Sequence, residues 1–293
     1  MRNTKLLLGI ALLAAPAAAL AQNTETGVIS HLHFGGDSSS VGQIYRLEPS
    51  AGYAFSRHFS VSAGVPVYFV HPSSDTAATG AKSVNGIGNA YLDFKFETSK
   101  SETYFSSRVR GTAPTGKVED GFSTGRATVD WTNYVSHSVG AVTPFGSVGF
   151  ANTVSDTHFF SRPFNSLGFV GHLEGGAELQ LHRGVSVAGS GYAILPSGQQ
   201  KVYSKLIQRG RTGTTNPAGR VRGKSTRFET ESVVVGGEEV ARDHGASVWF
   251  GVSPAKGVNL ELGYSRSITY AYNSVFFNLG FDIWRVTRRG PQP

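Results

Sequence analysis

The chain has 293 residues, no cysteine and a formal net charge of +7 at pH 7. Without cysteine, a disulfide framework, a thiolate metal site and a cysteine nucleophile are all excluded. Hydrophobic residues make up only 39% of the chain, aromatic residues 11%, and there are 37 glycines, a composition that favours an all-β protein with many turns.

The first 21 residues are predicted to be a cleaved signal peptide. Arg2 and Lys5 open the chain, an apolar run extends from Leu6 to Leu20, and small residues precede Gln22. The run is shorter than the roughly 20 residues that a membrane-spanning helix needs. We therefore assign residues 22–293 to a single exported domain. No later stretch is long and apolar enough for such a helix, so strands that close on themselves are the remaining way to cross a membrane.

Twelve segments of the chain alternate between apolar and polar residues with a period of two, which predicts strands. In residues 86–97, for example, Leu92, Phe94 and Phe96 fall on one face, while Asp93 and Lys95 fall on the other. The predicted strands cover residues 28–34, 43–55, 59–70, 86–98, 103–113, 126–138, 142–151, 167–181, 184–195, 245–253, 257–267 and 274–284.

The lengths of the connections distinguish a membrane barrel from a soluble sandwich. Links after the even-numbered strands are short, such as residues 56–58 and 182–183, whereas those after the odd-numbered strands are mostly longer and reach residues 196–244. Short periplasmic turns, long external loops and periplasmic termini are typical of outer-membrane barrels. The sequence therefore predicts an all-β fold, a single antiparallel up-and-down transmembrane β-barrel of about 12 strands in the cell outer membrane.

The turn between the fourth and fifth predicted strands indicates which residues of these two strands lie opposite each other. A turn centred between Lys100 and Ser101 would place Asp93 opposite Arg108 and Tyr91 opposite Arg110, with the apolar residues on the other face. If the apolar face meets lipid, the charged face lines the lumen. The predicted pore-lining residues are Arg46, Glu48, Asp93, Lys95, Arg108, Arg110, Asp130, His172, Glu174, Glu178, Glu261 and Asp282. A lumen filled by salt-bridged side chains and a water-filled pore both remain compatible with this set.

Several short motifs carry a family resemblance. They are Gly86-Ile87-Gly88-Asn89 at the start of a strand, Ala113-Pro114-Thr115-Gly116, and Ser123-Thr124-Gly125 followed by Asp130. Together they resemble the outer-membrane transporter family linked by name to the meta pathway of phenol degradation, in which an acidic residue usually stands at the position of Asn89. The resemblance is clearest over residues 86–151. It implies a barrel that passes small solutes, often aromatic or apolar ones.

Two classes of partner follow from the remaining patterns, and a third is excluded. Asn278, Gly280, Phe281 and Ile283 resemble the terminal pattern that the outer-membrane assembly machinery recognises. Residues 196–242 hold nine Lys or Arg and four Glu, so this long basic external loop is either simply solvated or contacts outer-membrane lipid and lipopolysaccharide through its positive charge. No nucleic-acid fold or aromatic-studded basic platform accompanies the loop, so no nucleic acid is expected as a partner.

The sequence offers little for catalysis. It lacks the nucleophile elbow, the phosphate-binding loop and the His-Glu-x-x-His pattern, and we expect no enzyme, no cofactor and no metal. His31 and His33 share a strand face, but two ligands are too few for a metal site. His172 and Glu174 also share a face, which leaves a barrel-embedded lipid hydrolase as one alternative. The favoured function is a passive channel for small solutes, and the stronger alternative is a structural or surface-interaction barrel without transport.

Overall fold

A computed structural model of the protein describes residues 26–74, 77, 82–154, 156, 161–206 and 233–287. The predicted signal peptide lies outside these residues. The central part of the long basic loop, residues 207–232, lies outside them as well. Among the described residues, no helix is long and apolar enough to cross a bilayer.

Fifteen strands form the described structure. They are β1 (Gly27–Ser39), β2 (Gly42–Ala54), β3 (Phe59–Gly64), β4 (Val67–Pro72), β5 (Val84–Ile87), β6 (Tyr91–Lys100), β7 (Thr103–Thr112), β8 (Thr128–His137), β9 (Val142–Ala151), β10 (Phe164–His182), β11 (Val185–Ser204), β12 (Val233–Gly236), β13 (Asp243–Ala255), β14 (Val258–Ser267) and β15 (Tyr272–Thr287). One 3-10 turn, Glu238–Val240, precedes β13.

The strands close into an antiparallel barrel of twelve wall positions, as predicted. β3 with β4 forms the third position and β5 with β6 forms the fourth, while β12 only extends the sheet beside β11. Pairing of β1 with β15 along Gly27 to Ser39 closes the ring. Short turns gather at one end, which we call the periplasmic end. The described residues of the longer connections lie at the opposite, external end; they are residues 73–74, 77, 82–83, 113–127, 152–154, 156, 161–163, 205–206 and 233–242.

Two wall strands that the sequence predicted as continuous are interrupted. The third is broken at Val65 and Pro66, because proline has no N–H to donate to a ladder. The fourth is broken opposite this point, at residues 88–90, where the Gly88 N–H donates to the Pro66 carbonyl over 2.7 Å. Conversely, β11 continues to Ser204, so the long basic loop begins nine residues later than the predicted Pro196.

The predicted register between the fourth and fifth wall strands is wrong. Each residue of the fourth strand pairs with a residue two positions farther along the fifth strand than predicted. The turn consists of Ser101 and Glu102, and Ser101 adopts a left-handed conformation with φ 52°. Asp93 therefore pairs with Arg110 instead of Arg108. An even shift keeps every side chain on its predicted face, since side chains alternate with a period of two.

The outer surface of the barrel is a belt of exposed apolar side chains. Phe94, Trp131 and Val248 are 53%, 46% and 51% exposed, and each points away from the lumen. Aromatic pairs lie near both ends, Phe59 with Phe96 at the periplasmic end and Phe34 with Phe277 at the external end. A closed barrel with an apolar band and aromatic residues at both rims is suited to lipid. The chain is an outer-membrane β-barrel.

This architecture predicts how the protein behaves on cell fractionation. The full chain should be recovered with the outer membrane and stay folded in mild detergent at room temperature, because every wall strand has both neighbours. Membrane fractionation and the gel mobility of heated and unheated samples measure these properties. Recovery of the folded protein in the soluble periplasmic fraction would contradict the assignment.

Candidate functional site in the barrel lumen

A cavity of about 1260 Å³ occupies the barrel lumen from the periplasmic rim to a group of external loop residues. Phe59 and Lys256 lie at its periplasmic rim, and Val154, Asp156 and Arg162 form its external boundary. All twelve residues that the sequence assigns to the lumen lie on the lining of this cavity: Arg46, Glu48, Asp93, Lys95, Arg108, Arg110, Asp130, His172, Glu174, Glu178, Glu261 and Asp282.

Cationic side chains concentrate on one part of the lining, formed by β2, β6 and β7, and most of them are paired. Arg110 donates two hydrogen bonds of 2.7 Å to Asp93 and lies 3.6 Å from Glu48, while its guanidinium stacks 3.8 Å above the Tyr91 ring. Bidentate geometry of this kind is the strong form of the arginine–carboxylate pair. Lys95 forms a 2.6 Å ion pair with Glu97 farther toward the periplasmic end.

His172 on β10 reaches across β9 to Asp130 on β8, with Nε2 and Oδ1 3.2 Å apart. Gly149 of β9 makes this contact possible, since a Cβ there would lie 2.5 Å from His172 Nε2. His172 thus belongs to a hydrogen-bonded pair within the wall. Among the described residues, no serine hydroxyl is hydrogen bonded to its imidazole.

Carboxylates concentrate on the opposite part of the lining. Glu174 accepts a 2.6 Å hydrogen bond from Ser190, and Glu261 accepts one of 3.2 Å from Asn278. At the periplasmic rim, Asp282 pairs with His31 over 2.6 Å. The lumen therefore carries a basic and an acidic side, as expected of a polar, water-accessible interior.

Three aromatic side chains form a strip along the lining that runs from the strand next to the basic side into the acidic side. The rings of Tyr134 and Phe145 lie 6.1 Å apart, and those of Phe145 and Trp249 lie 6.2 Å apart. Phe145 reaches Trp249 by crossing Gly176, where a Cβ would lie 2.7 Å from the Phe145 ring. These separations are typical of interacting aromatic pairs. We call Tyr134, Phe145 and Trp249 the aromatic strip.

Part of the β9–β10 connection crosses the external end of the lumen. We call its described residues 152–154, 156 and 161–163 the crossbar. The crossbar starts from the seventh wall strand and reaches the first, where the Ser161 N–H donates to Asp37 Oδ2 over 2.7 Å. In a twelve-stranded ring these strands lie on opposite sides. Arg162 of the crossbar also pairs with Asp243 of β13 at 3.2 Å.

The carboxylate of Asp156 is the centre of the crossbar contacts. It accepts two hydrogen bonds of 2.9 Å from Lys205 Nζ, one of 2.5 Å from the Tyr68 hydroxyl and one of 2.7 Å from the Arg162 N–H. Arg46 lies 3.7 Å away. Burial alone would raise the pKa of Asp156, but Lys205 and Arg46 hold that pKa below its ordinary value.

An apolar core packs above the crossbar and fills the external mouth of the barrel. It includes Phe122 from the β7–β8 loop, Phe164 at the start of β10, and Tyr270 from the last external turn. Phe122 stacks on Tyr68 with ring centroids 5.3 Å apart. The external half of the lumen is therefore packed like a protein core, and the periplasmic half is a cavity.

The motifs that carry the family resemblance meet near this core. The Thr115 hydroxyl donates to the Gly88 carbonyl over 2.9 Å, and the Gly116 N–H donates to Asn89 Oδ1 over 3.3 Å. Ser123 and Thr124 are buried close by in the chain. These contacts fasten the β7–β8 loop to the interrupted wall strand, so the motifs have a structural role here.

No pattern in the sequence indicates the crossbar contacts or the aromatic strip. Asp156 and Arg162 lie in a loop without periodicity, and their partners Lys205 and Asp243 are more than 40 residues away. Phe145 and Trp249 belong to strands separated by two others in the barrel. Alternation places such residues on the inner face, but only the closed ring brings them together.

The fold resembles those of solved outer-membrane proteins. An outer membrane channel from Pseudomonas putida F1 superposes with a TM-score of 0.52 at 11% identity, covering 91% of this chain and 97% of that one. NanC porin gives a TM-score of 0.45 at 8% identity over 86% and 99% of the two chains. The toluene transporter TodX from Pseudomonas putida gives 0.39 at 10% identity over 93% and 92%. The first likeness supports the fold. No family model and no curated protein sequence matches the chain.

Proposed function

We propose that the protein is a passive channel for small solutes across the outer membrane. The observation that carries this proposal is the cavity of about 1260 Å³ with charged and polar walls inside a barrel whose outer face is apolar. A barrel that served only as a membrane scaffold would have no need of such an interior. The similar architecture of the Pseudomonas putida channel adds support for the fold that the proposal requires.

The crossbar favours a second candidate, a structural barrel that does not transport. Its residues lie across the external end, and apolar packing covers them. The channel proposal therefore includes movement of the crossbar or a narrow path beside it. Conductance of the wild-type chain and of a crossbar variant, which is treated in the Discussion, distinguishes the two candidates.

The solute class of the proposed channel is inferred from two features of the chain. The implied preference for aromatic or apolar solutes, and the link to phenol degradation, rest on the short glycine-rich motifs and on the aromatic strip.

A lipid hydrolase would need a nucleophile beside its base, and the pairing of His172 with Asp130 provides none among the described residues. We therefore propose no catalytic function.

The channel proposal predicts small conductance steps in planar bilayers with a weak preference for cations. The described lining of the cavity carries nine Asp or Glu against six Lys or Arg, and this negative net charge attracts cations, an attraction that salt screens over about 10 Å at 0.1 M. The reversal potential in a tenfold salt gradient should shift toward the cation potential, and the shift should shrink as total salt rises. A folded barrel that gives no steps, alone or with an altered crossbar, would contradict the proposal and favour the structural candidate.

A further inference from the structure

Charge pairing on the basic side of the lumen sets Arg108 apart from Arg46, Arg110 and Lys95. Arg110 is neutralised by Asp93 and Glu48, and Lys95 by Glu97. Arg46 is buried between Glu48 and Asp156 at 3.5 and 3.7 Å. A cation that already has a carboxylate partner is a poor site for a second anion, because a new ligand must compete with a bond that is already made.

Arg108 differs from these three residues. It lies on the lining of the cavity and is exposed to it. Within the part of the chain that the structure describes, its guanidinium forms no ion pair within 4 Å and no hydrogen bond. Its neighbours across the two adjacent strands are Lys95, which is already paired, and Thr132, whose hydroxyl donates to Asp130. The fork of five N–H donors on Arg108 is therefore available to a ligand.

The aromatic strip begins beside Arg108. Tyr134 lies on the neighbouring strand β8, two residues beyond Thr132, the direct partner of Arg108, so it occupies the diagonal position. Diagonal neighbours in a sheet are about 7 to 8 Å apart, within reach of long and aromatic side chains. From Tyr134 the strip continues through Phe145 to Trp249. A flat apolar body bound at Arg108 would thus have ring faces and edges to pack against.

The charges around the strip restrict the net charge of such a ligand. Asp93 and Asp130 lie diagonal to Arg108 on the two adjacent strands, and Glu174 and Glu178 lie on β10 on the far side of Tyr134 and Phe145. One available guanidinium surrounded by carboxylates favours a single negative charge and disfavours a second one. The planar fork matches a carboxylate.

We propose that Arg108 and the aromatic strip form a binding site for small aromatic monocarboxylates inside the lumen. The guanidinium would hold the carboxylate, and Tyr134 with Phe145 would contact the ring. This inference rests on the proposed channel function and gives it a solute class. It also makes Arg108 the anion ligand of the site, with Arg110 as a structural residue of the wall.

Equilibrium binding tests the site without requiring conductance. Benzoate would be titrated into the purified full chain in detergent by calorimetry, with empty micelles as blank and the neutral isostere benzamide as the second ligand. Benzoate should bind measurably more tightly than benzamide. Arg108→Gln should weaken benzoate binding about tenfold or more, because the charge-assisted hydrogen bonds to the carboxylate are lost. Arg108→Lys should retain part of the affinity through its charge.

Lys95→Gln is the matched control. Lys95 lies directly opposite Arg108 in the register. Its replacement by glutamine removes the same formal charge as Arg108→Gln, but Lys95 is already paired with Glu97. It should leave benzoate affinity within about twofold of wild type, since its charge is already neutralised. Equal losses in Arg108→Gln and Lys95→Gln, or equal binding of benzoate and benzamide by the wild type, would overturn the site. Absence of conductance together with intact benzoate binding would instead overturn the channel function alone.

Discussion

Replacing Asp156 with asparagine is expected to release the crossbar and enlarge the conductance of the barrel. The change leaves Lys205, which is 0% exposed, and Arg46 facing a neutral amide. Removing one partner of a buried ion pair typically costs about 3 to 5 kcal/mol, because the remaining charge is left uncompensated. The crossbar can avoid that cost by leaving the lumen, so single-channel conductance should rise while the strand pairs of the wall stay intact.

A double replacement provides the control for this prediction. In Asp156→Asn with Lys205→Met both charges are removed, so neither is left uncompensated, and the amide oxygen can still accept hydrogen bonds from the Tyr68 hydroxyl and the Arg162 N–H. Arg46 keeps Glu48 as its partner. The double variant should therefore conduct like the wild type, and Asp156→Asn alone should conduct more. If both variants match the wild type, the ion pair does not hold the crossbar.

Replacing Phe94 with arginine is expected to destabilise the barrel in lipid by about 2 to 4 kcal/mol, the usual cost of a cation on the lipid face near the bilayer midplane. Phe94 lies within β6, pairs with Val61 and Val109 on the adjacent strands, and is 53% exposed on the outer surface. The free energy of unfolding in urea, measured in lipid vesicles, reports this loss.

Two controls separate lipid exposure from a general effect on folding. Phe94→Leu keeps an apolar side chain and should cost much less than the arginine variant. Ser106→Arg introduces the same cation on β7, on the lining of the cavity, and should be tolerated better because the lumen is polar. Equal stability of Phe94→Arg and Phe94→Leu in lipid would show that this face does not contact the bilayer.

The sequence predicted which residues face the cavity, but it did not predict which residues pair with one another. Alternation alone assigned Glu174, Glu178 and Glu261 to the same inner face as Asp93, and all four lie on the lining of the cavity. Their partners were not predictable at the same level. The register error at Asp93 shows why, since a turn displaced by one residue keeps the faces and changes every opposing residue.

Arg108 and Arg110 illustrate the consequence for function. Both are basic, lie on one strand and face the lumen, so the sequence predicts the same role for each. In the observed register Asp93 forms an ion pair with Arg110, and Arg108 stays exposed to the cavity. A joint replacement of both residues by alanine would therefore combine a change in anion binding with the loss of a wall ion pair, and single variants are needed to separate them.

The class of fold follows from the amino-acid sequence alone, because a period of two and sorted connection lengths are local properties that each strand carries in its own residues. The twelve wall strands and the inward and outward faces follow from these properties. How open the lumen is depends instead on tertiary contacts. Asp37, Asp156 and Lys205 lie far apart in the chain and meet only where the crossbar spans the ring, and the β7–β8 loop packs above it. Contacts between distant loops depend on closure of the whole barrel, which leaves no periodic trace in any one segment.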